Sequence, residues 1–315
     1  MRSLSAAGAC ALLFAALSAH AADYRAPVTA YGAPDLEGIW TNAWLTRMDR
    51  PKDFTALVIP EAEAAAYDKT HAGRVTMTTA DTVGQETSEF PEPGTQLARI
   101  RGFPRTSWII EPSDGKTPFT PAAAAANKAL VDGLATYADD PEDRTLNDRC
   151  LGGFAGPPLV NGADANMLQI VQTRDQVAIL SEVSHNLRII RIGGAHTPGA
   201  VRQWMGDSIG HWEGKTLVVD TVNLHPQQVA APGKPASDTH VIERFTRTGA
   251  AEITYEFRVE NPDKYTMPWR GEMVLRASDR PLFEYAWHEG NYGLEFILAG
   301  ARQKEAAAAK ALAGN

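Results

Sequence analysis

The residues best suited to chemistry lie near the C-terminus, in the segment YAWHEGNY at 285–292. A histidine titrates near neutrality and an adjacent carboxylate can orient its ring, which is the arrangement of a general acid or base. We therefore predict His288 as the general acid or base, with Glu289 or Glu243 as its orienter or proton partner. A hydrogen-bonded corner that anchors the C-terminal tail would give the same pattern, so both interpretations stay open.

The most distinctive stretch is RQWMGDSIGHWEGKTLVVDT, residues 202–221, which leads through a glycine turn into an apolar run. In a functional interpretation, Trp204 and Trp212 form the walls of an apolar pocket, and Asp207 is its polar handle. Alternatively, the stretch is a hairpin whose indoles close one end of a barrel.

Several carboxylates sit on otherwise apolar strand faces, because side chains two residues apart share a face. Three residues show this pattern: Glu243, Asp220 and Glu284. Either these faces point into the sheet interior and line a ligand cavity, or they face solvent and pair with arginines. Four further residues are predicted to position a substrate: Glu182, His185, Arg188 and Tyr292.

Familiar catalytic motifs are missing from the sequence: there is no nucleophile elbow, Walker loop, dinucleotide-binding glycine motif or HExxH helix. The segment at His288 has Tyr292 where the second zinc ligand would stand. We predict no cofactor and no metal, unless His185, His211 and His288 assemble a site in three dimensions. The neighbours of Cys150 do not suggest thiolate activation, so we interpret it as a small buried hydrophobe.

The elements that must position these residues are short strands in the second half of the chain. Turn residues separate runs that are β-branched or aromatic and often alternate, at 167–173, 176–183, 187–192, 216–222, 239–246, 252–260, 272–277 and 282–288. Short connections favour antiparallel neighbours. The expected fold is mainly β, an antiparallel meander closing into a lipocalin-like barrel, and a β-sandwich is the alternative.

The rest of the mature chain is expected to surround this sheet. Residues 22–149 form a wrapping extension with helices at 60–71 and 121–138, each beginning with proline. The barrel domain then covers 150–302. Residues 303–315 end an Ala-rich helical tail that begins near 294 and frays at its end.

Residues 1–21 are interpreted as a secretory signal, with Arg2, an apolar run and an Ala19-His20-Ala21 cleavage site. Its removal lowers the formal charge from −8 to −9. Acidic residues number 38 against 30 basic ones, which argues against nucleic acid as a partner. We expect a soluble periplasmic or secreted protein without a membrane anchor, whose partner is a small molecule.

Three motifs resemble a family of exported bacterial hypothetical proteins: RCLG followed by GPP at 149–158, the stretch at 202–221, and HEGNYGLEFILAGAR at 288–302. The similarity runs from about residue 34 to 302. It implies that the extension and the β-rich half are one unit, but it implies no substrate and no catalytic residue.

These features support two main hypotheses. In the first, an exported enzyme acts on a small, partly apolar molecule inside the barrel by cofactor-free acid/base chemistry, as a lyase, isomerase or hydrolase. In the second, the same barrel is a periplasmic carrier that binds the molecule without chemistry. A solidly packed structural barrel is a third possibility.

Overall fold

The computed structural model describes residues 24–72, 94–133, 138–144, 146, 148–149, 151, 156–161, 166–183, 186–225, 238–286, 289–290 and 292–313. Four predicted features lie outside these residues: the signal at 1–21, Cys150, His185 and His288. None of the described helices combines the length and apolarity needed to span a membrane.

The described part of the chain contains twelve strands, most of them in its second half. They are β1 (Gly38–Thr41), β2 (Arg99–Ile100), β3 (Phe103–Pro104), β4 (Ile109–Glu111), β5 (Met167–Gln172), β6 (Gln176–Ser181), β7 (Leu187–Ile192), β8 (Asp207–Glu213), β9 (Thr216–Val222), β10 (His240–Gly249), β11 (Glu252–Glu260) and β12 (Trp269–Ala277). Strands β5 to β12 pair in chain order, β1 pairs with both β5 and β12, and the sheet closes. The predicted lipocalin-like barrel is thus confirmed. β4 pairs with β12 beside the closure, and β2 and β3 form a separate hairpin.

The turn residues and the alternation of apolar and polar residues predicted the positions of most strands. Strands β9 and β11 have the predicted bounds, whereas the predicted strand at 282–288 is wrong: its described residues, 282–286, have no regular structure. The edge that it would have joined is occupied, because β1 already pairs with β12, with Trp40 opposite Ala277. A closed barrel has no free edge for another strand.

One neighbouring pair departs from the expected meander. Strands β7 and β8 are parallel, with Ile190 opposite Ser208, while the other neighbouring pairs among the described barrel strands are antiparallel. Parallel neighbours need a connection that returns along the sheet. Residues 193–206, which we call the crossover, make this return without a helix.

The crossover enters β8 through a position that requires glycine. Gly206 has φ +72°, in the left-handed region. A Cβ there would lie 2.7 Å from Thr221 Cγ2 and 2.8 Å from the carbonyl oxygen of Val222. The absence of a side chain therefore lets the crossover approach β9 closely.

The N-terminal extension does more than wrap the barrel, because it supplies the closing strand β1. Its two predicted helices are present as α1 (Glu61–His71) and α2 (Pro121–Gly133). The predicted tail is helix α3 (Gly293–Ala313), which has no fully buried residue. A small apolar cluster beside the barrel core joins α1 to its surroundings, with members Phe54, Ile59, Ala64 and Leu97.

The main core contains a succession of large aromatic side chains. The ring centroids of Phe245 and Tyr255 are 4.8 Å apart, those of Tyr255 and Phe257 are 5.5 Å apart, and those of Phe257 and Trp269 are 5.6 Å apart. All four residues are buried. They share the inward faces of β10, β11 and β12 and form part of the main core.

The carboxylates on strand faces divide between the two sides of the barrel. Glu243 is buried between Val241 and Phe245 and points inward. Asp220 points outward, because the flanking residues of β9 are buried while its own side chain is 40% exposed. Glu284 is exposed and lies outside the strands.

Candidate functional site

The crossover is attached to the barrel by the buried carboxylate of Asp207, at the start of β8. It accepts three hydrogen bonds, from Thr197 N–H (2.6 Å), Arg191 Nη2 (2.7 Å) and His196 Nδ1 (3.0 Å). Burial raises the pKa of Asp207, but these hydrogen bonds and the charge of Arg191 outweigh it, so the pKa lies below its ordinary value. Asp207 is therefore a stable anion that orients the His196 ring.

His196 links Asp207 to a second carboxylate. Its Nε2 lies 3.2 Å from Asp220 Oδ1, and His240 Nε2 lies 2.9 Å from the same oxygen. An ionised carboxylate only accepts hydrogen bonds, so His196 bonds to both aspartates at once when both of its ring nitrogens carry protons. We call Arg191, His196, Asp207, Asp220 and His240 the crossover network.

Strand register brings the network together on the outer face of the barrel. Asp220 on β9 lies opposite Ile209 of β8 on one side and Ile242 of β10 on the other. Asp207 and His240 are each two residues from these partners, so they share the outer face with Asp220. The parallel β7–β8 pair adds Arg191, and the crossover places His196 over the strands.

The network is open to solvent on the His240 side. The side chains of His196, Asp220 and His240 are 29%, 40% and 37% exposed. Within the described residues, His240 Nδ1 has no hydrogen-bond partner. A histidine whose Nε2–H is donated to a carboxylate has its lone pair on Nδ1, so this nitrogen can accept a proton from a bound molecule.

An aromatic pair lies where the crossover meets the residues that follow β9. The rings of Trp204 and His225 stack with centroids 4.1 Å apart, and the Trp204 residue is 36% exposed. An Arg202–Asp238 ion pair of 3.5 Å joins this part of the crossover to the segment just before His240. The stacked rings thus form a partly exposed aromatic surface on the crossover.

The structure also brings together two other predicted site residues, Arg188 and Glu243, inside the barrel. They form a bidentate ion pair with N···O distances of 3.1 and 2.5 Å, and their side chains are only 2% and 0% exposed. Tyr255 donates its hydroxyl hydrogen to Glu243 Oε1 at 2.8 Å and accepts one from Leu159 N–H at 2.9 Å. Burial, and secondly the charge of Glu243, raise the pKa of Tyr255.

This environment accounts for the charged residues Glu243 and Arg188 as structural elements of the barrel core. The two groups compensate each other's charge away from solvent, and Tyr255 adds a further hydrogen bond to the carboxylate. Glu289, the other predicted partner of His288, is exposed in a turn where its N–H donates to Ala286 O at 2.9 Å. The structure therefore gives the two glutamates very different environments.

The two tryptophans of the distinctive stretch do not form walls of one pocket. Trp204 precedes β8, whereas Trp212 lies near its far end and packs against the main core. Asp207 and Trp212 are separated by roughly 17 Å, at about 3.3 Å per strand residue. Asp207, predicted as the polar handle of that pocket, forms hydrogen bonds with the crossover residues His196 and Thr197.

The remaining predicted residues lie elsewhere. Glu182 is buried and its Oε2 accepts a hydrogen bond of 2.9 Å from Phe283 N–H, which ties the segment after β12 to the barrel. Tyr292 is 61% exposed and its ring centroid is 6.2 Å from that of Phe296 at the start of α3. His185 and His288 are outside the described residues.

Sequence reasoning missed His196, His240 and Arg191 as site residues. Asp220 had one usable signal, a single carboxylate in the apolar run of β9. The two histidines had none, because His196 lies in an irregular connection and His240 shares its strand face with Arg244. Only the register of four adjacent strands shows that they meet.

Histidine-based metal binding receives no support from the described residues, where no group of three or more His, Cys, Asp or Glu side chains could hold a metal ion. His211, one of the three histidines considered for such a site, has its Nε2 3.1 Å from Glu213 Oε1 on the barrel surface.

Comparison of the chain with protein-family models, with curated proteins and with solved structures found no match. The geometry of its own residues is therefore the basis for assigning a function.

Proposed function

We propose that this protein is an exported enzyme that performs cofactor-free acid/base chemistry on a small, partly apolar molecule, with His240 as the proton-transferring residue. The observation that carries the proposal is the contact between Asp220 and His240, which leaves Nδ1 of a partly exposed imidazole facing no described partner. The signal-like sequence of residues 1–21 supports export.

The proposed reaction is a proton cycle at His240 Nδ1. The Asp220 carboxylate holds Nε2–H, so Nδ1 can take a proton from a substrate carbon, a hydroxyl group or a water molecule. The resulting imidazolium is stabilised by Asp220 and returns the proton to the product or the leaving group. This cycle serves lyases, isomerases and hydrolases alike.

The remainder of the network supports this role electrostatically. Arg191 forms an ion pair with Asp207, and the His196 ring bridges Asp207 and Asp220, so the carboxylate that contacts His240 is held in place. A partly apolar substrate would place its flat portion against Trp204. We place the reaction on the outer face because the side chains of the crossover network are partly exposed there, whereas the Arg188–Glu243 pair is buried and its charges are already paired.

The proposal is tested with isotopically labelled water, because the substrate need not be known in advance. The purified protein is incubated with a small-molecule extract of bacterial periplasm in water labelled with deuterium and oxygen-18, and the extract is then examined by mass spectrometry. A lyase or isomerase that returns a solvent proton adds deuterium to its product, and a hydrolase adds oxygen-18. We expect a labelled product with the wild-type protein and its loss with His240→Gln.

His211→Gln is the matched control, because His211 is also a surface histidine with a carboxylate partner, Glu213, but lies outside the network. Labelling that persists in His240→Gln would refute the assignment of His240. Recovery of an unaltered molecule in stoichiometric amount, without labelling, would instead identify the protein as a carrier.

A further inference from the structure

The N-terminal extension contains a buried guanidinium that forms no ion pair with any residue that the structure describes. Arg50, in the segment between β1 and α1, is only 5% exposed. A guanidinium has five N–H donors, yet the one acceptor found for it among the described residues is the carbonyl oxygen of Thr55, at a long 3.4 Å from Nη1. Its Nε is buried without an acceptor.

The carboxylate nearest in sequence is directed elsewhere. Asp49 Oδ1 accepts hydrogen bonds from Thr117 N–H at 3.2 Å and Thr117 Oγ1 at 2.6 Å. No ion pair among the described residues includes Arg50. Among the described residues, the buried charge of Arg50 therefore has no carboxylate partner of the kind that buried arginines normally have.

A second cationic residue contacts the backbone of Arg50. The ammonium group of Lys116 donates a hydrogen bond to the backbone carbonyl oxygen of Arg50. Lys116 itself is exposed to solvent. An anion near this contact would be attracted by both side chains.

The loop after β4 is shaped around the guanidinium. Arg50 N–H donates to Gly115 O at 2.8 Å, and Gly115 has φ +69°. A Cβ at Gly115 would lie 2.9 Å from Arg50 Nη2 and 3.0 Å from its Cζ. The absence of a side chain therefore leaves the room that Arg50 occupies.

We propose that Arg50 and Lys116 form a binding site for an oxyanion, supplied either by a phosphate or by a carboxylate group. Oxyanions match the donors of a guanidinium in geometry and charge, and one bound here would accept hydrogen bonds that the described chain leaves unmade. This site shares no residue with the crossover network, and it holds whether or not the protein is an enzyme.

The test measures binding of inorganic phosphate and of acetate by calorimetry, and the thermal midpoint with each anion against chloride at equal ionic strength. We expect saturable binding to the wild-type protein by at least one of the two anions, with a higher thermal midpoint. Arg50→Gln should weaken that binding at least about tenfold, since charge-assisted hydrogen bonds contribute this much or more.

Lys116→Gln should weaken binding by a smaller factor, because this side chain is exposed and screened. Lys52→Gln is the matched control: it removes an exposed lysine close in sequence that forms no hydrogen bond with Arg50 in the described structure, and its affinity should stay within about twofold of wild type. If Arg50→Gln does not fold, the comparison of Lys116→Gln with Lys52→Gln decides the matter. Equal affinities in those two variants, wild-type affinity in Arg50→Gln, or no binding of either anion to the wild-type protein would overturn the proposal.

Discussion

Replacing Glu243 by glutamine removes the charge that compensates Arg188 inside the barrel. The substitution nearly preserves shape, and its amide oxygen can still accept the hydrogen bond from Tyr255. What it removes is the anion facing a guanidinium whose side chain is 2% exposed. The variant therefore isolates the electrostatic part of the interaction from the packing part.

The expected loss is large, because a buried charge without a partner costs about 3–5 kcal/mol. Since the glutamine retains some hydrogen bonds, we expect a decrease of about 3 kcal/mol in the free energy of unfolding. At a slope of about 3 kcal/mol per molar urea, the unfolding midpoint falls by about 1 M. The double variant Arg188→Met with Glu243→Gln should recover about 2 kcal/mol of this, since no unpaired charge remains.

Urea unfolding followed by tryptophan fluorescence measures both variants, with the slope checked for constancy. A midpoint unchanged in Glu243→Gln would refute the inference that the pair is a buried, mutually compensating element of the core. A double variant no more stable than Glu243→Gln would refute the assignment of the loss to an unpaired charge.

Three further predictions concern the crossover and the strand connections. The pKa of Asp207 is lowered in the folded protein, so its contribution to stability is complete above its unfolded pKa of about 3.9 and is lost as the pH falls towards the folded value. In urea unfolding from pH 7 to pH 3, the free energy of unfolding of Asp207→Asn should therefore change less with pH than that of the wild type. The free energy of unfolding of Gly206→Ala should be lower than that of Gly214→Ala by more than about 1 kcal/mol, because both glycines have positive φ but only a Cβ at 206 meets neighbouring atoms. Equal urea midpoints in the two variants would contradict the close approach of the crossover to β9. Burial lowers the pKa of Lys264 from 10.5 to about 8, so the unfolded chain binds more protons than the folded protein between those values. Lys264 should therefore make the protein more stable as the pH rises through this window. Thermal unfolding at several pH values should show this increase in the wild type but not in Lys264→Met, and identical profiles would rule it out.

The barrel could be predicted from the sequence because its causes are local. Alternating apolar residues and glycine-containing turns gave β9 and β11 their bounds, and the proline starts gave α1 and α2 their positions. The connection from β7 to β8 could not be predicted in this way. Gly193 and Gly194 have the positive φ values of a turn, yet they begin the crossover rather than a hairpin.

The candidate site depends on that same non-local feature. Asp207 was singled out by its place in a distinctive stretch, but its partners His196 and Arg191 come from the crossover and from the parallel strand. Asp220 and His240 meet because of the β9–β10 register. Periodicity fixes which face a residue occupies, whereas register fixes which residues on that face are neighbours.

The tautomer of His240 can be read directly from the nitrogen-15 NMR spectrum of the imidazole rings, with His240→Gln to assign its signals. We expect neutral His240 to carry its proton on Nε2, held by Asp220, and Asp220→Asn to shift these signals. A neutral ring protonated on Nδ1, or a spectrum unaffected by Asp220→Asn, would contradict the proposal that Asp220 presents His240 to substrate as a proton acceptor.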